Sequence, residues 1–304
     1  MGSLQGRDLL SLADLQSAEV QALLNLAHQL KKGESTGPDL RHKTLGLVFR
    51  KASTRTRVSF TVAMHQLGGH VIDLDPSVTQ VSRGEPLEDT ARVLDRYVDV
   101  LAIRTFAQSD LETFAHYCQI PIINALTDLE HPCQALADLL TIQENFGKLQ
   151  GLTLTYVGDG NNVAHSLLLG CALVGMNVRV AAPNGFAPDR EVVAKAKSIA
   201  QNSEAIVTDD PKLAAQSAHV LYTDVWASMG QEAEADDRIP IFQPFQLNAD
   251  LLSLADPSAI VLHCLPAHRG EEITNDVIEG SQSRVWDQAE NRLHVQKALL
   301  ASIL

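Results

Sequence analysis

The chain has 304 residues, 45% of them apolar and 20% charged, with 18 Gly, 12 Pro and a formal net charge of −13. This length predicts two α/β domains of roughly 100–200 residues or one large domain, and the mixed composition excludes a disordered or fibrous chain. No apolar run reaches the ~18 residues of a membrane span and MGSLQGRDLL lacks a basic start followed by an apolar stretch, so a soluble, cytoplasmic protein is expected, with no membrane partner. Cys118, Cys133, Cys171 and Cys264 are scattered, which predicts neither a disulfide framework nor a zinc site. The acidic balance argues against a nucleic-acid partner, and against an acidic small substrate unless basic groups gather in one place.

In chain order, the first helix is expected near Ser17, a plausible N-cap, with apolar residues at Val20, Leu23, Leu24, Ala27 and Leu30, ended by Gly33. Strands are expected at 44–49, 70–74, 99–104 and 121–125, with helices at about Thr54 to Leu67 and Pro86 to Tyr97. Ser109 with Glu112 reads as a capping box for the next helix. After a helix beginning near Pro132 the pattern restarts, with strands at 152–157, 177–182, 204–208, 219–223 and 259–263 and a last helix over Trp286 to Ile303. Alternating strands and helices predict parallel sheets covered by helices. The fold class is therefore α/β, two doubly wound parallel-sheet domains joined by interdomain helices. The first is residues 1–135 with the helix 286–304 packing back on it, and the second is 136–285.

Ligands of such sheets bind beyond the carboxyl ends of the strands. Lys51-Ala52-Ser53-Thr54-Arg55-Thr56-Arg57 follows a strand and enters a helix, so free amides, hydroxyls and guanidiniums there suit a phosphate. The blander alternative is a serine cap on a helix with a solvated basic face. Arg104 ends the strand 99–104, and His131 and Gln134 flank the start of a helix, where a donor to a carbonyl or phosphate oxygen competes with a buried, backbone-satisfied histidine. Gly158-Asp159-Gly160-Asn161-Asn162 fails as a dinucleotide fingerprint, because Val163 takes the third glycine position and the strand 177–182 ends without an acidic residue. That turn offers Asn162 instead. Asp224 and Cys264 follow the strands 219–223 and 259–263, and together they suit a cationic amine. His263 and Cys264 alternate across their strand, so a nucleophile–base pair is not expected.

At these positions the chain resembles the aspartate/ornithine carbamoyltransferase family throughout its length. The resemblance rests on Ser53-Thr54-Arg55-Thr56-Arg57, His131-Pro132-Cys133-Gln134, the run from Asp224 to Gly230 with its Ser-Met-Gly, and His263-Cys264-Leu265-Pro266. It implies transfer of a carbamoyl group from carbamoyl phosphate to the side-chain amine of L-ornithine in arginine biosynthesis, without metal or cofactor. It further implies carbamoyl phosphate contacts at Ser53, Thr54, Arg55, Thr56, Arg57, Gln80, Arg104, His131, Gln134, Cys264, Leu265 and Arg292. Ornithine contacts are implied at Asn162, Asp224, Ser228 and Met229, and catalytic roles at Cys264, Arg104 and His131. A homotrimer, or an assembly of trimers, comes with the resemblance, with Gln80 reaching across a subunit interface. Val81-Ser82 departs from the Leu-Gly that many members carry. Two rivals remain: a carbamoyltransferase for another acceptor (putrescine, acetylornithine or aspartate), and a two-lobed anion-binding protein without turnover.

Overall fold

A computed structural model describes residues 4–75, 84–227 and 235–304. The chain divides into two compact units, Met1–Leu136 with Arg292–Leu304, and Ala137–Asn291. Both divisions fall inside helices, α5 and α12 below.

In the first unit the elements are α1 (Ser17–Lys32), β1 (Thr44–Phe49), α2 (Arg55–Gln66), β2 (His70–Leu74), α3 (Leu87–Leu94), β3 (Val100–Arg104), α4 (Gln108–Tyr117), β4 (Ile122–Leu126) and the start of α5 (Pro132–Phe146). The four strands run parallel in the order β2-β1-β3-β4. β3 is buried along its whole length, whereas the edge strand β2 exposes three of its five residues, so the apolar run Val-Leu-Ala-Ile is central and His-Val-Ile-Asp-Leu is not. Val48, Leu101, Ile103, Phe114 and Ile122 pack into one core cluster beneath α3 and α4. The chain goes from β1 outward to β2 and then returns to β3 on the other side. Ligands of open sheets bind at such a reversal, here beyond the carboxyl ends of β1 and β3, where Phe49 is in register with Arg104.

Several boundaries differ from the sequence reading. Gln16, not Ser17, caps α1, because Glu19 accepts the Gln16 amide at 2.8 Å. Helix α4 begins at Gln108 with Ala107 at the cap, which places Ser109 and Glu112 inside the helix and removes the expected capping box. The side chain of Gln108 is drawn to Thr127, whose hydroxyl donates to it at 2.8 Å. Helix α3 ends at Leu94, short of Tyr97.

The second unit continues with β5 (Thr153–Val157), α6 (Asn162–Val174), β6 (Asn177–Ala181), α7 (Arg190–Ile199), β7 (Ala205–Thr208), α8 (Pro211–Ala215), β8 (Val220–Thr223), α9 (Ala235–Phe242), α10 (Ala249–Leu252), β9 (Ile260–His263), α11 (Asn275–Ile278) and α12 (Val285–Ile303). Its five parallel strands take the order β7-β6-β5-β8-β9. The direction of winding reverses between β5 and β8, and the segments leaving those strands begin at Gly158 and Asp224. Val157, Leu221, Val261, Ile273 and Val285 belong to the core cluster on one face of the sheet. Burying each such side chain contributes about 1.5–3 kcal/mol. Gly160 sits so close to the chain at Ala187 and Pro188 that a Cβ would lie 2.3 Å from the Pro188 nitrogen. Only glycine fits that turn.

Candidate active site

In the first unit, the loop 50–54 leaves β1 and enters α2. Thr54 occupies the N-cap with no side-chain hydrogen bond to the helix, and the first turn contains no acidic residue. The alternative of an ordinary serine cap is therefore not what the loop adopts, and the helix start favours an anion through its amides and dipole. Ser53 is half-buried, Thr54 and Arg55 are exposed and Thr56 is buried. The Thr56 hydroxyl accepts from Arg292 Nη2 at 3.1 Å, and Arg292 Nη1 donates to Gln134 Oε1 at 2.6 Å. Arg292, from α12, thereby joins the first motif to the second.

His131 stands at the end of a turn that the chain locks from several sides. The Thr127 amide donates to the Glu130 carbonyl at 2.9 Å, and the Glu130 carboxylate accepts the Leu12 amide at 3.1 Å and the Ser11 hydroxyl. The His131 carbonyl accepts the Gln134 amide at 3.0 Å as α5 begins. Burial first, and then the positive charges of Arg292, Arg104 and Arg55, hold His131 well below the usual imidazole value. A buried neutral imidazole on which three guanidinium charges act suits a site for negative charge.

The basic residues of this edge separate into two groups. Lys51 Nζ lies 2.5 Å from Asp128 Oδ1 and 4.4 Å from the centre of the Phe106 ring, and Arg50 Nη1 lies 2.6 Å from Asp110 Oδ2. Arg57 is paired with Asp73 and lies over Phe49. Arg55, Arg104 and Arg292 are the three whose charge acts on His131. Of the basic residues in the first motif, Lys51 is thus paired with Asp128 and Arg57 with Asp73.

The folded state disfavours a proton on His131, whereas the unfolded chain takes one up near pH ~6.5. Its contribution is therefore complete above that pH and falls as pH drops below it, by up to about 1.4 kcal/mol per pH unit. Urea unfolding at pH 7.5 and 5.5 should show a larger loss of stability in the wild type than in His131→Gln. Equal losses would remove His131 as the cause.

In the second unit, Asp224 leaves β8 as a buried carboxylate. Its Oδ2 accepts Asn161 Nδ2 at 3.0 Å, and its Oδ1 accepts the thiol of Cys264 at 2.9 Å. Asn161 is also the N-cap of α6, accepting the amides of Val163 at 2.9 Å and Ala164 at 3.3 Å. Asn162, the residue singled out from sequence, is the half-buried first residue of the helix. Asn161 was missed, although an Asn before an apolar helical run is a capping signal.

Cys264 and Leu265 are both half-buried, and Leu265 takes a left-handed φ of 58°. The Leu265 amide donates to His263 Nδ1 at 2.8 Å, so the ring proton sits on Nε2, which meets Glu272 Oε1 at 3.0 Å. Both ring nitrogens are engaged away from Cys264. Glu272 also accepts the His268 amide at 2.6 Å, and the pair with His263 is fully buried. Ligand atoms of Asp224, His263 and Cys264 lie within 4.8 Å of one another. With the imidazole occupied, this group offers one carboxylate and one thiol, fewer than a zinc site uses. Glu272 was invisible in the sequence as a partner of His263. Gln80, Ser228 and Met229 lie outside the described residues.

Residues 7–144 match the family model described as aspartate/ornithine carbamoyltransferase, carbamoyl-P binding domain, and residues 150–303 match the model for the Asp/Orn binding domain. The chain is 73% identical over 305 residues to the ornithine carbamoyltransferase of Nostoc punctiforme, covering 100% of this chain and 99% of that protein. It is 67% identical over 303 residues to that of Synechocystis, covering 99% and 98%. Among solved structures, the ornithine carbamoyltransferase of Gloeobacter violaceus superposes with a TM-score of 0.90 at 62% identity, covering 97% of this chain and 98% of that one. That of Pyrococcus furiosus gives 0.95 at 51% identity, covering 100% and 98%.

Proposed function

The chain belongs to the aspartate/ornithine carbamoyltransferase family, and on that premise we propose that it transfers the carbamoyl group of carbamoyl phosphate to the side-chain amine of L-ornithine, giving L-citrulline and phosphate in arginine biosynthesis. It is a transferase that needs no bound metal or cofactor for this chemistry. The observation that carries the choice of acceptor is the Asp224 carboxylate held by Asn161 and in contact with the Cys264 thiol. A carboxylate suits the α-ammonium of an amino acid, and a thiol beside it suits exchange of a proton with an amine.

The reaction forms a bond between the amine nitrogen and the carbonyl carbon and breaks the bond from that carbon to the bridging oxygen, which leaves with its electron pair on phosphate. Arg55 and Arg104, with the amides at the start of α2, Ser53, Thr54 and Arg57, take the phosphate. Thr56, Arg104 and His131 face the charge that develops on the carbonyl oxygen, with Gln134 at the carbamoyl end and Arg292 holding Thr56 and Gln134 in place. His131 is neutral, so it acts as a hydrogen-bonding group and not as a cation. The attacking amine must be neutral, and an alkylammonium titrates near ~10.4, so the site has to accept or share one proton. Cys264, beside Asp224, is assigned that exchange, and Leu265 lines the same place. Asn162 is assigned the ornithine carboxylate; Gln80, Ser228 and Met229 are assigned substrate contacts by family resemblance.

The enzyme is proposed to work in the cytoplasm as a homotrimer or an assembly of trimers. Among the described residues, no helix is long and apolar enough to cross a membrane. Exposed Val58, Ile72, Val93 and Tyr97 on the first unit supply apolar area for contact between copies. Light scattering of the purified protein tests the assembly. Phosphate release measured with carbamoyl phosphate and each of ornithine, putrescine, acetylornithine and aspartate tests the acceptor. Release with ornithine alone is the expected pattern, and release with putrescine but not ornithine would refute the assignment.

A further inference from the structure

Arg238 lies on α9, outside every motif that pointed to substrate, yet it is 8% exposed. Its Nη1 donates to Asp159 Oδ2 at 3.1 Å and to the Trp226 carbonyl at 2.9 Å, and its guanidinium carbon lies 5.1 Å from the centre of the Phe186 ring. Two of these partners bracket the Asp224 site. Asp159 is in the turn that carries Asn161, and Trp226 is two residues beyond Asp224. The Asn161–Asp224 hydrogen bond already ties these two segments together. Arg238 ties them a second time.

The surroundings make this clamp stiff. Trp226 stacks on Phe242 of the same helix with ring centres 5.9 Å apart, and Phe186 meets Phe242 edge-on at 4.8 Å. The Phe186 carbonyl accepts the Gly160 amide at 2.8 Å, in the turn where only glycine fits. An ion pair largely withdrawn from water returns little net stability, because desolvation offsets most of its attraction. A planar guanidinium with two acceptors does fix geometry.

Charge gives the pair a second consequence. Asp159 and Asp224 both act on the buried Tyr156 phenol, which burial first and then their negative charges push upward. The charges of the two carboxylates therefore reach the same side chain. An Asp159 without the Arg238 charge would offer a cationic substrate a second carboxylate, its side chain 13% exposed.

We propose that Arg238 is a positioning residue for the acceptor amino acid: it neutralises Asp159 and holds the turn at 158–161 against the segment after β8, so that Asp224 alone receives the substrate ammonium. The proposal rests on the reading of Asp224 as the partner of the ornithine α-ammonium. Steady-state kinetics of the full chain test it through Arg238→Gln, Arg238→Lys and, because the first can fail to fold, Asp159→Asn. Arg238→Gln should raise KM for ornithine about tenfold or more and leave KM for carbamoyl phosphate within about twofold. Arg238→Lys should fall between wild type and Arg238→Gln, since it keeps the charge and loses the planar guanidinium. Asp159→Asn should raise KM for ornithine by about threefold or more. An unchanged ornithine KM in Arg238→Gln or in Asp159→Asn, equal rises in both KM values, or a Lys variant no better than Gln would each overturn the proposal while the wild type still makes citrulline. A wild type that makes none would overturn the acceptor assignment first.

Discussion

Replacing Cys264 by alanine is expected to lower kcat for citrulline formation by about 10²- to 10⁴-fold, the range that a positioned proton-transfer group contributes. The thiol donates to Asp224 at 2.9 Å, and the neighbouring His263 spends one nitrogen on the Leu265 amide and the other on Glu272. A free thiol titrates near ~8.5, so the sulfur, once its own proton has passed out through Asp224, is available as a thiolate to take the proton that the amine must lose. A hydroxyl is not. Cys264→Ser should therefore keep the hydrogen bond to Asp224 but recover little of the rate. Alanine and serine variants with near-normal kcat would leave Asp224 and solvent as the proton path and remove Cys264 from the chemistry.

Replacing Arg55 by alanine is expected to lower kcat/KM for carbamoyl phosphate by about 10²- to 10³-fold. A charge-assisted contact is worth roughly 1.5–3 kcal/mol, which alone weakens binding at least about tenfold. The further loss falls on the rate, because the phosphate gains negative charge as its bond to carbon breaks. Arg55 opens α2, whose first turn contains no acidic residue and whose cap residue makes no side-chain hydrogen bond to the helix. Arg55→Lys should restore only part of the loss, since an ammonium lacks the fork that fits two phosphate oxygens. Near-normal kinetics in Arg55→Ala would contradict the assignment of the phosphate to this helix start.

Much of the architecture was legible because strands and helices announce themselves by local patterning. The runs Thr-Leu-Gly-Leu-Val-Phe and Val-Leu-Ala-Ile-Arg became β1 and β3 within a residue. The ends of helices were less legible, as Ser109 and Glu112 illustrate, since Gln108 is fixed by a contact with Thr127 that no local pattern contains. The same division holds at the sites. Arg104, His131, Asp224 and Cys264, the proposed site residues, could be picked out from their place at strand ends and helix starts. Asn161, Glu272, Arg238 and the carboxylates that engage Lys51 and Arg57 were not, because each acts through a partner brought near by the fold. Arg292 is the intermediate case, named by resemblance and given a physical role by its bonds to Thr56 and Gln134.

This chain is proposed to join carbamoyl phosphate to the side-chain amine of ornithine through two built sites, one for an anion and one for an amino acid. Carbamoyl phosphate labelled with ¹³C at the carbonyl, mixed with ornithine and the purified protein, tests it by NMR. Appearance of the label in the ureido carbon of citrulline, matched one for one by released phosphate, is the predicted result. Label appearing only in carbonate, or persisting in carbamoyl phosphate at its uncatalysed rate of decay, would contradict it.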